Sequence, residues 1–250
     1  MTELLLEISN WKLEAADEDS RRYFYHAEEV DSLEHGLKSM VIGRKGAGKT
    51  AICRYFETEN NYDQFSLKLS FKEFPFNILY DLEDKSFTTP SQYISLWKYV
   101  IYNSVLMLMM KNQNVSSDFH SRMADLYSDD EFKSFHARLQ SWTKKSFGAG
   151  ILSASGTYDV KREVAKIEEV WQDLIPAMEQ LIVRNIDRAK YFIVFDELDE
   201  DYRNYWDKDI RTRYLSLITS LLKATSNVRR VFSDHDCNIF PIVFLRDDIY

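Results

Sequence analysis

A chain of 250 residues with 45% hydrophobic and 29% charged residues has the make-up of a globular protein able to bury a sizeable core. Its net charge of −8 counts against a surface that clings to nucleic acid as a whole, although a local basic groove would be compatible with it. Two cysteines, Cys53 and Cys237, exclude a disulfide framework, fit a reducing cytoplasm, and have no metal-ligand company in the sequence.

Aromatic residues at 14% with only 7 glycines and 4 prolines favour long helices over an all-β or loop-rich chain. The start, "MTELLLEISNWKLEAADEDS", lacks the basic and apolar regions of a signal peptide. The longest apolar stretch, Tyr99 to Met110, is too short to span a bilayer and contains Asn103, so it reads as a buried helix in a soluble, cytoplasmic protein.

Taken in order, Thr2 to Gly36 is acidic with helical spacing, and Gly36 is placed to end a helix. Leu37 to Ile42 is a short apolar strand running into a glycine-rich turn, and "KTAICRYFETE" beyond it has helical spacing. "DQFSLKLSF" alternates Phe65, Leu67, Leu69 and Phe71 with polar neighbours, which predicts a strand. From about Pro75 to Trp142 the pattern is helical, with Pro90 and Ser91 at one helix start and polar caps opening "SSDFHSRMADLY" and "DDEFKSFHARLQSW".

The tract "KKSFGAGILSASGTYDV" holds Gly148, Gly150 and Gly156. It lacks the Lys-Ser/Thr pair and leading strand of a phosphate loop, so a hairpin or loop is the better reading. "VKREVAKIEEVWQDLIPAMEQLIVRN" is an amphipathic helix that Pro176 should kink or break. "KYFIVFDELDED" is an apolar run ending in acids, as a central parallel strand requires. "DIRTRYLSLITSLLKATSN" is a further helix and "NIFPIVFLRDD" a further buried strand, with Pro241 near its start.

The chemistry concentrates in "SMVIGRKGAGKTAI". Gly43, Gly48, Lys49 and Thr50 fit G-x-x-x-x-G-K-[ST], the pattern in which backbone N–H groups turn inward around phosphate oxygens. Small residues are needed for that close approach, and the following helix presents its N-terminus to the anion. The cradle would run Gly43, Arg44, Lys45, Gly46, Ala47, Gly48, Lys49, Thr50 and Ala51, with Arg44 and Lys45 as exposed candidates for extra anion contacts. Lys49 would reach the β- and γ-phosphates and the Thr50 hydroxyl would hold Mg²⁺.

At the end of the "YFIVFDELDE" strand, Asp196 would bind that Mg²⁺, directly or through water, and Glu197 would serve as general base for an attacking water. Asp199, Glu200 and Asp201 read as a solvated acidic turn. Arg246, at the end of "FPIVFLRDD", would sense the γ-phosphate or reach a neighbouring subunit's nucleotide, against the alternative of a surface ion pair. The five histidines are scattered and no Ser-His-Asp or Cys-His arrangement is supported.

"NWKLEAADED", "VIGRKGAGKTAI", "FIVFDELDE" and "IVFLRDDIY", in that order, resemble a group of bacterial P-loop ATPases related to the KAP and STAND branches of the AAA-like NTPases. The resemblance implies an α/β P-loop NTPase core with a parallel central sheet, and a large, mainly helical insertion between the two nucleotide motifs. It also implies ATP and Mg²⁺ as cofactors, a link to effectors in bacterial conflict systems such as antiviral defence, and a place for Trp11 and Lys12 near the nucleotide base or the core edge. Relatives continue beyond the "FLRDDIY" strand with a helical lid, so the chain is expected to be a fragment of a longer protein.

The expected organisation is an N-terminal helical segment and first half of the core over residues 1–72, the insertion over 73–186, and the second half of the core over 187–250. The leading function is an ATP-hydrolysing regulatory switch that acts with a homo-oligomer or a partner protein and without a membrane. Catalysis would rest on Glu197, Lys49 and Arg246, and the metal on Thr50 and Asp196. A nucleic-acid-stimulated motor is the alternative, disfavoured by the acidic balance. A small-molecule kinase is less favoured, because about 150 residues between Lys49 and Asp196 exceed what its compact core needs.

Overall fold

The computed structural model describes residues 28–58, 62–70, 89–127, 163–198 and 208–247. Trp11, Lys12, "DDEFKSFHARLQSW", the second glycine cluster, the acidic residues 199–201 and Asp248 lie outside the described residues. The described chain is α/β. Strands β1 (Met40–Gly43), β2 (Gln64–Ser70), β3 (Lys190–Asp196) and β4 (Ile239–Arg246) form one sheet in the order β1-β4-β3-β2, with every pair parallel. Six helices accompany them: α1 (Glu28–Glu34), α2 (Lys49–Thr58), α3 (Thr89–Lys111), α4 (Ser117–Tyr127), α5 (Glu163–Asn185) and α6 (Lys208–Ser233).

Strand β3 is buried along nearly its whole length, and side-chain alternation divides it between two cores. Phe192 and Val194, with Ile242 and Phe244 of β4, pack under α1 and α2 against Val30, Leu33, Cys53 and Phe56. Tyr191, Ile193 and Phe195 face the other way, into the larger cluster built by α3, α4, α5 and α6. Parallel strands need a crossover on a face, so the helices cover both sides of the sheet.

Helix α3 is the apolar run foreseen as a buried helix, and it starts at Thr89 with Pro90 in its first turn. It packs against β2, β3, α4, α5 and α6, so the larger core is continuous with this part of the segment 73–186. Its buried polar side chains are satisfied locally: Asn103 Nδ2 donates to the Tyr99 carbonyl at 2.8 Å, and Ser104 Oγ to that of Val100 at 2.8 Å. Trp97 Nε1 donates to the Leu217 carbonyl of α6 at 3.0 Å and fastens the two helices together.

Local signals mark the element ends. Gly36 adopts φ +66°, and the N–H groups of Leu37 and Lys38 both turn back to the Ser32 carbonyl, which closes α1. Leu37 is consequently exposed, and β1 begins only at Met40 rather than at Leu37. Ser116 caps α4, its Oγ accepting from the Phe119 N–H at 3.3 Å.

The two prolines behave differently from each other. Pro176 does not break α5, which runs unbroken from Glu163 to Asn185 with Pro176 at an exposed position. Pro241 sits inside β4, which has a strand on either side. Val243 N–H donates to the Ser39 carbonyl on the β1 side, and residues two apart point their N–H groups the same way. The missing Pro241 donor therefore faces the side where β1 has not yet begun to pair, so no ladder bond is lost.

No described helix is long and apolar enough to cross a membrane.

Candidate functional site

Three segments meet at the C-terminal edge of the sheet: the loop after β1, the end of β3 and the end of β4. Ligands of open α/β sheets bind beyond this edge. The register sets Gly43 beside Arg246 and Ser70 beside Asp196. Because β4 lies between β1 and β3, the glycine loop and the acid-ended strand stand two strand spacings apart, about 9–10 Å.

The loop has a cradle's backbone. Gly46 and Gly48 adopt φ +83° and +82°, and a Cβ at either would meet nothing within 4 Å. They are glycines for the left-handed backbone rather than for lack of space. Gly43 is constrained otherwise: a Cβ there would stand 3.3 Å from Ala47 Cβ. Arg44 to Gly48 are exposed, and α2 opens directly at Lys49; Ala51 and Ile52 donate their N–H groups to the Gly48 carbonyl, which leaves those of Lys49 and Thr50 without an acceptor within the helix. Lys49 Nζ curls over the loop and donates to the carbonyls of Gly43 at 2.6 Å and Arg44 at 2.9 Å. Exposed N–H groups, a helix N-terminus and a cation on one small loop suit an oxyanion.

Asp196 closes β3 and is 7% exposed. Its Oδ2 pairs with Lys68 Nζ of β2 at 3.2 Å, and Cys53 of α2 is a hydrogen-bonding neighbour. Thr50 lies three residues before Cys53 on the same helix, one turn nearer the loop, so both occupy one face. That places Thr50 on the face of α2 whose next turn, at Cys53, meets Asp196. Burial pushes the Cys53 thiol up, and the Asp196 charge pushes it further, so Cys53 is an inert, protonated neighbour. Burial also raises the Glu57 carboxyl, against the opposing pull of Lys68. For Lys68 burial works downward, but neighbouring acids, Asp196 and Glu57 among them, outweigh it and hold the ammonium above its usual value.

Glu197 follows with φ +59°, in the left-handed region that a glutamate seldom adopts. Its carboxylate accepts a hydrogen bond from Ser70 Oγ at the end of β2. Arg246 is half-buried at the end of β4, and Arg44 makes an exposed pair with Asp247 at 3.4 Å.

A divalent ion here would find one hydroxyl, one nearly buried carboxylate and whatever oxygens a ligand brings. Among the described residues no group of three His, Cys, Asp or Glu side chains forms a self-sufficient metal cage. That donor set fits Mg²⁺, which keeps several waters and is held by one or two carboxylates together with phosphate oxygens.

Strand β2 contributes Lys68 and Ser70, neither of which stood out in the sequence. One signal was available. A parallel strand covered on both faces should be apolar throughout, yet β2 alternates Ser66, Lys68 and Ser70 with apolar residues.

These features define an α/β protein with a four-stranded parallel sheet and a glycine loop set across from an acid-ended strand. No family model, curated protein or solved structure matches the chain.

Proposed function

We propose that the chain is a Mg²⁺-dependent, ATP-hydrolysing switch of the AAA/STAND-like kind, in which nucleotide state controls assembly or an attached effector. One observation supports it above the rest: a glycine loop and an acid pair far apart in sequence meet at one sheet edge, with Asp196 against the helix that the loop opens.

In this reading the N–H groups of the loop and of Lys49 and Thr50 that are not donated within it bind the phosphate oxygens, and Lys49 leaves its loop carbonyls for the β- and γ-phosphates. Thr50 and Asp196 hold the metal, which when bound draws off the charge developing on those oxygens. Glu197, steadied by Ser70, takes a proton from the attacking water. Arg246, beside Gly43 in register, answers the γ-phosphate charge.

The reading is tested with two variants. Glu197→Gln is expected to bind ATP normally and lose turnover, and Lys49→Ala to lose ATP binding. Equal ATP affinity in the unaltered protein and Lys49→Ala would overturn it.

A further inference from the structure

The opposite end of the sheet, where β1 and β4 begin, carries a cavity of about 470 Å³. Ser226, Arg229, Arg230 and Ser233 line it from α6 at positions i, i+3, i+4 and i+7, which is one helix face. This polar stripe is distinct from the buried face of α6 at Ala224, Val228 and Phe232. Ser39 and Phe240 complete the wall from the strand starts.

Arg229 is the unusual member. Two cations in the last turns of a helix would be accounted for if they donated to its end carbonyls or paired with a carboxylate. Arg229 is half-buried, and no described residue accepts a hydrogen bond from it or forms an ion pair with it. Burial lowers its pKa, with no carboxylate of the described residues acting against that, although Asp236 also lines the cavity. Gly36 forms the adjoining wall: a Cβ there would fall 2.5 Å from the Phe240 ring and 3.5 Å from Arg229 Nη2. The guanidinium is thus held against a bare stretch of backbone.

We propose that this cavity binds a small phosphate monoester, with Arg229 as its anchor and the hydroxyls of Ser39, Ser226 and Ser233 as further donors. A half-desolvated guanidinium without a partner among the described residues calls for an oxyanion, and its fork matches phosphate oxygens two at a time. Two arginines against the single acid Asp236 leave room for a dianion. The volume exceeds what a bare phosphate fills and lies within the ~300–1,000 Å³ range of small-ligand pockets, so the phosphate carries a compact body, flanked by Phe240. The site lies at the far end of the sheet from Lys49 and does not depend on the nucleotide reading.

The experiment uses the Lys49→Ala protein, which removes the glycine loop as a competitor, and titrates it calorimetrically with phenyl phosphate and with inorganic phosphate. One saturable site is expected, with phenyl phosphate bound at least ~10-fold more tightly than inorganic phosphate because its ring occupies the rest of the cavity. Adding Arg229→Met should weaken phenyl phosphate at least ~10-fold, and Arg229→Lys should fall between, since a point charge replaces a fork. Arg229→Met removes a desolvated cation that no described residue pairs with, so its melting temperature should be unchanged or raised. Ser226→Glu, at an exposed position on the same stripe, gives an independent loss by charge repulsion. Absence of a saturable site, or undiminished binding in both Arg229→Met and Ser226→Glu, would overturn the proposal. So would binding in the unaltered protein that Lys49→Ala abolishes.

Discussion

Lys68 Nζ stands 3.2 Å from Asp196 Oδ2, so the carboxylate read as a metal ligand already has a cation beside it from the edge strand β2. The pair is 21% and 10% exposed at its side chains, well beyond the screening of a surface salt bridge. Lys68→Met would leave Asp196 nearly buried without its partner. It is expected to lower folding stability by about 1–3 kcal/mol in urea unfolding. Millimolar Mg²⁺ should recover part of that loss and stabilise the variant more than the unaltered protein, because an ion binding only the folded state adds to its stability. An equal Mg²⁺ response in both proteins would separate Lys68 from the metal site.

Ser70 and Glu197 form the second cross-strand link at this edge. Ser70→Ala removes one hydrogen bond at an exposed site, so stability should fall by no more than about 1 kcal/mol. If Ser70 positions the base, ATP turnover drops while ATP affinity is kept, which steady-state kinetics beside direct binding would distinguish.

Glu197 also carries backbone strain, at φ +59°. Asparagine tolerates the left-handed region better than glutamate. Glu197→Asn is therefore expected to raise stability by about 0.5–1 kcal/mol while removing the carboxylate and with it hydrolysis. A stability loss in thermal unfolding would show that the Ser70 contact outweighs the strain.

The glycines should separate by mechanism. Gly46→Ala meets no atoms but must hold φ +83°, a cost of about 1–2 kcal/mol. Gly36→Ala adds a collision with the Phe240 ring to a φ of +66°, and should be clearly worse. Comparing the two variants by urea midpoint isolates the collision.

Alkali should destabilise the protein in a defined window. Burial, then the Glu179 carboxylate that accepts its hydrogen bond at 2.9 Å, pushes the Tyr102 phenol above its ordinary 10.0. Burial likewise raises Tyr191, which donates to Asp187 at 2.7 Å. The unfolded chain ionises these phenols first, so it binds fewer protons than the fold as pH climbs past 10.0. Their stabilisation is complete below that pH and is lost progressively above it. A phenol that is ionised in the unfolded chain and protonated in the fold makes stability fall by about 1.4 kcal/mol for each further step of one in pH. Tyr102→Phe should remove that contribution and flatten the alkaline limb of a stability-against-pH curve measured by urea unfolding. An unchanged slope would exclude Tyr102 as a source.

Much of the local structure was legible from residue order alone. The glycine loop stood out because G-x-x-x-x-G-K-[ST] specifies its own backbone within eight residues, and the left-handed Gly46 and Gly48 follow from it. The apolar run ending at Asp196 announced a central parallel strand, and the closing of α1 at Gly36 followed from glycine chemistry. These are short-range effects, in which neighbouring residues decide their own conformation. What residue order did not decide is which strands lie side by side. Lys68 and Ser70 belong to the site only because β2 pairs with β3 in a register that sets Ser70 beside Asp196, across 126 positions of sequence. Strand pairing of that range is settled by burial of both sheet faces together, a property of the assembled core that no local window contains. Arg229 carries the same lesson. On the helix it is one more polar residue near a C-terminus, and only the meeting of α1, α6 and the starts of β1 and β4 leaves it half-buried at a cavity with no described residue paired to it.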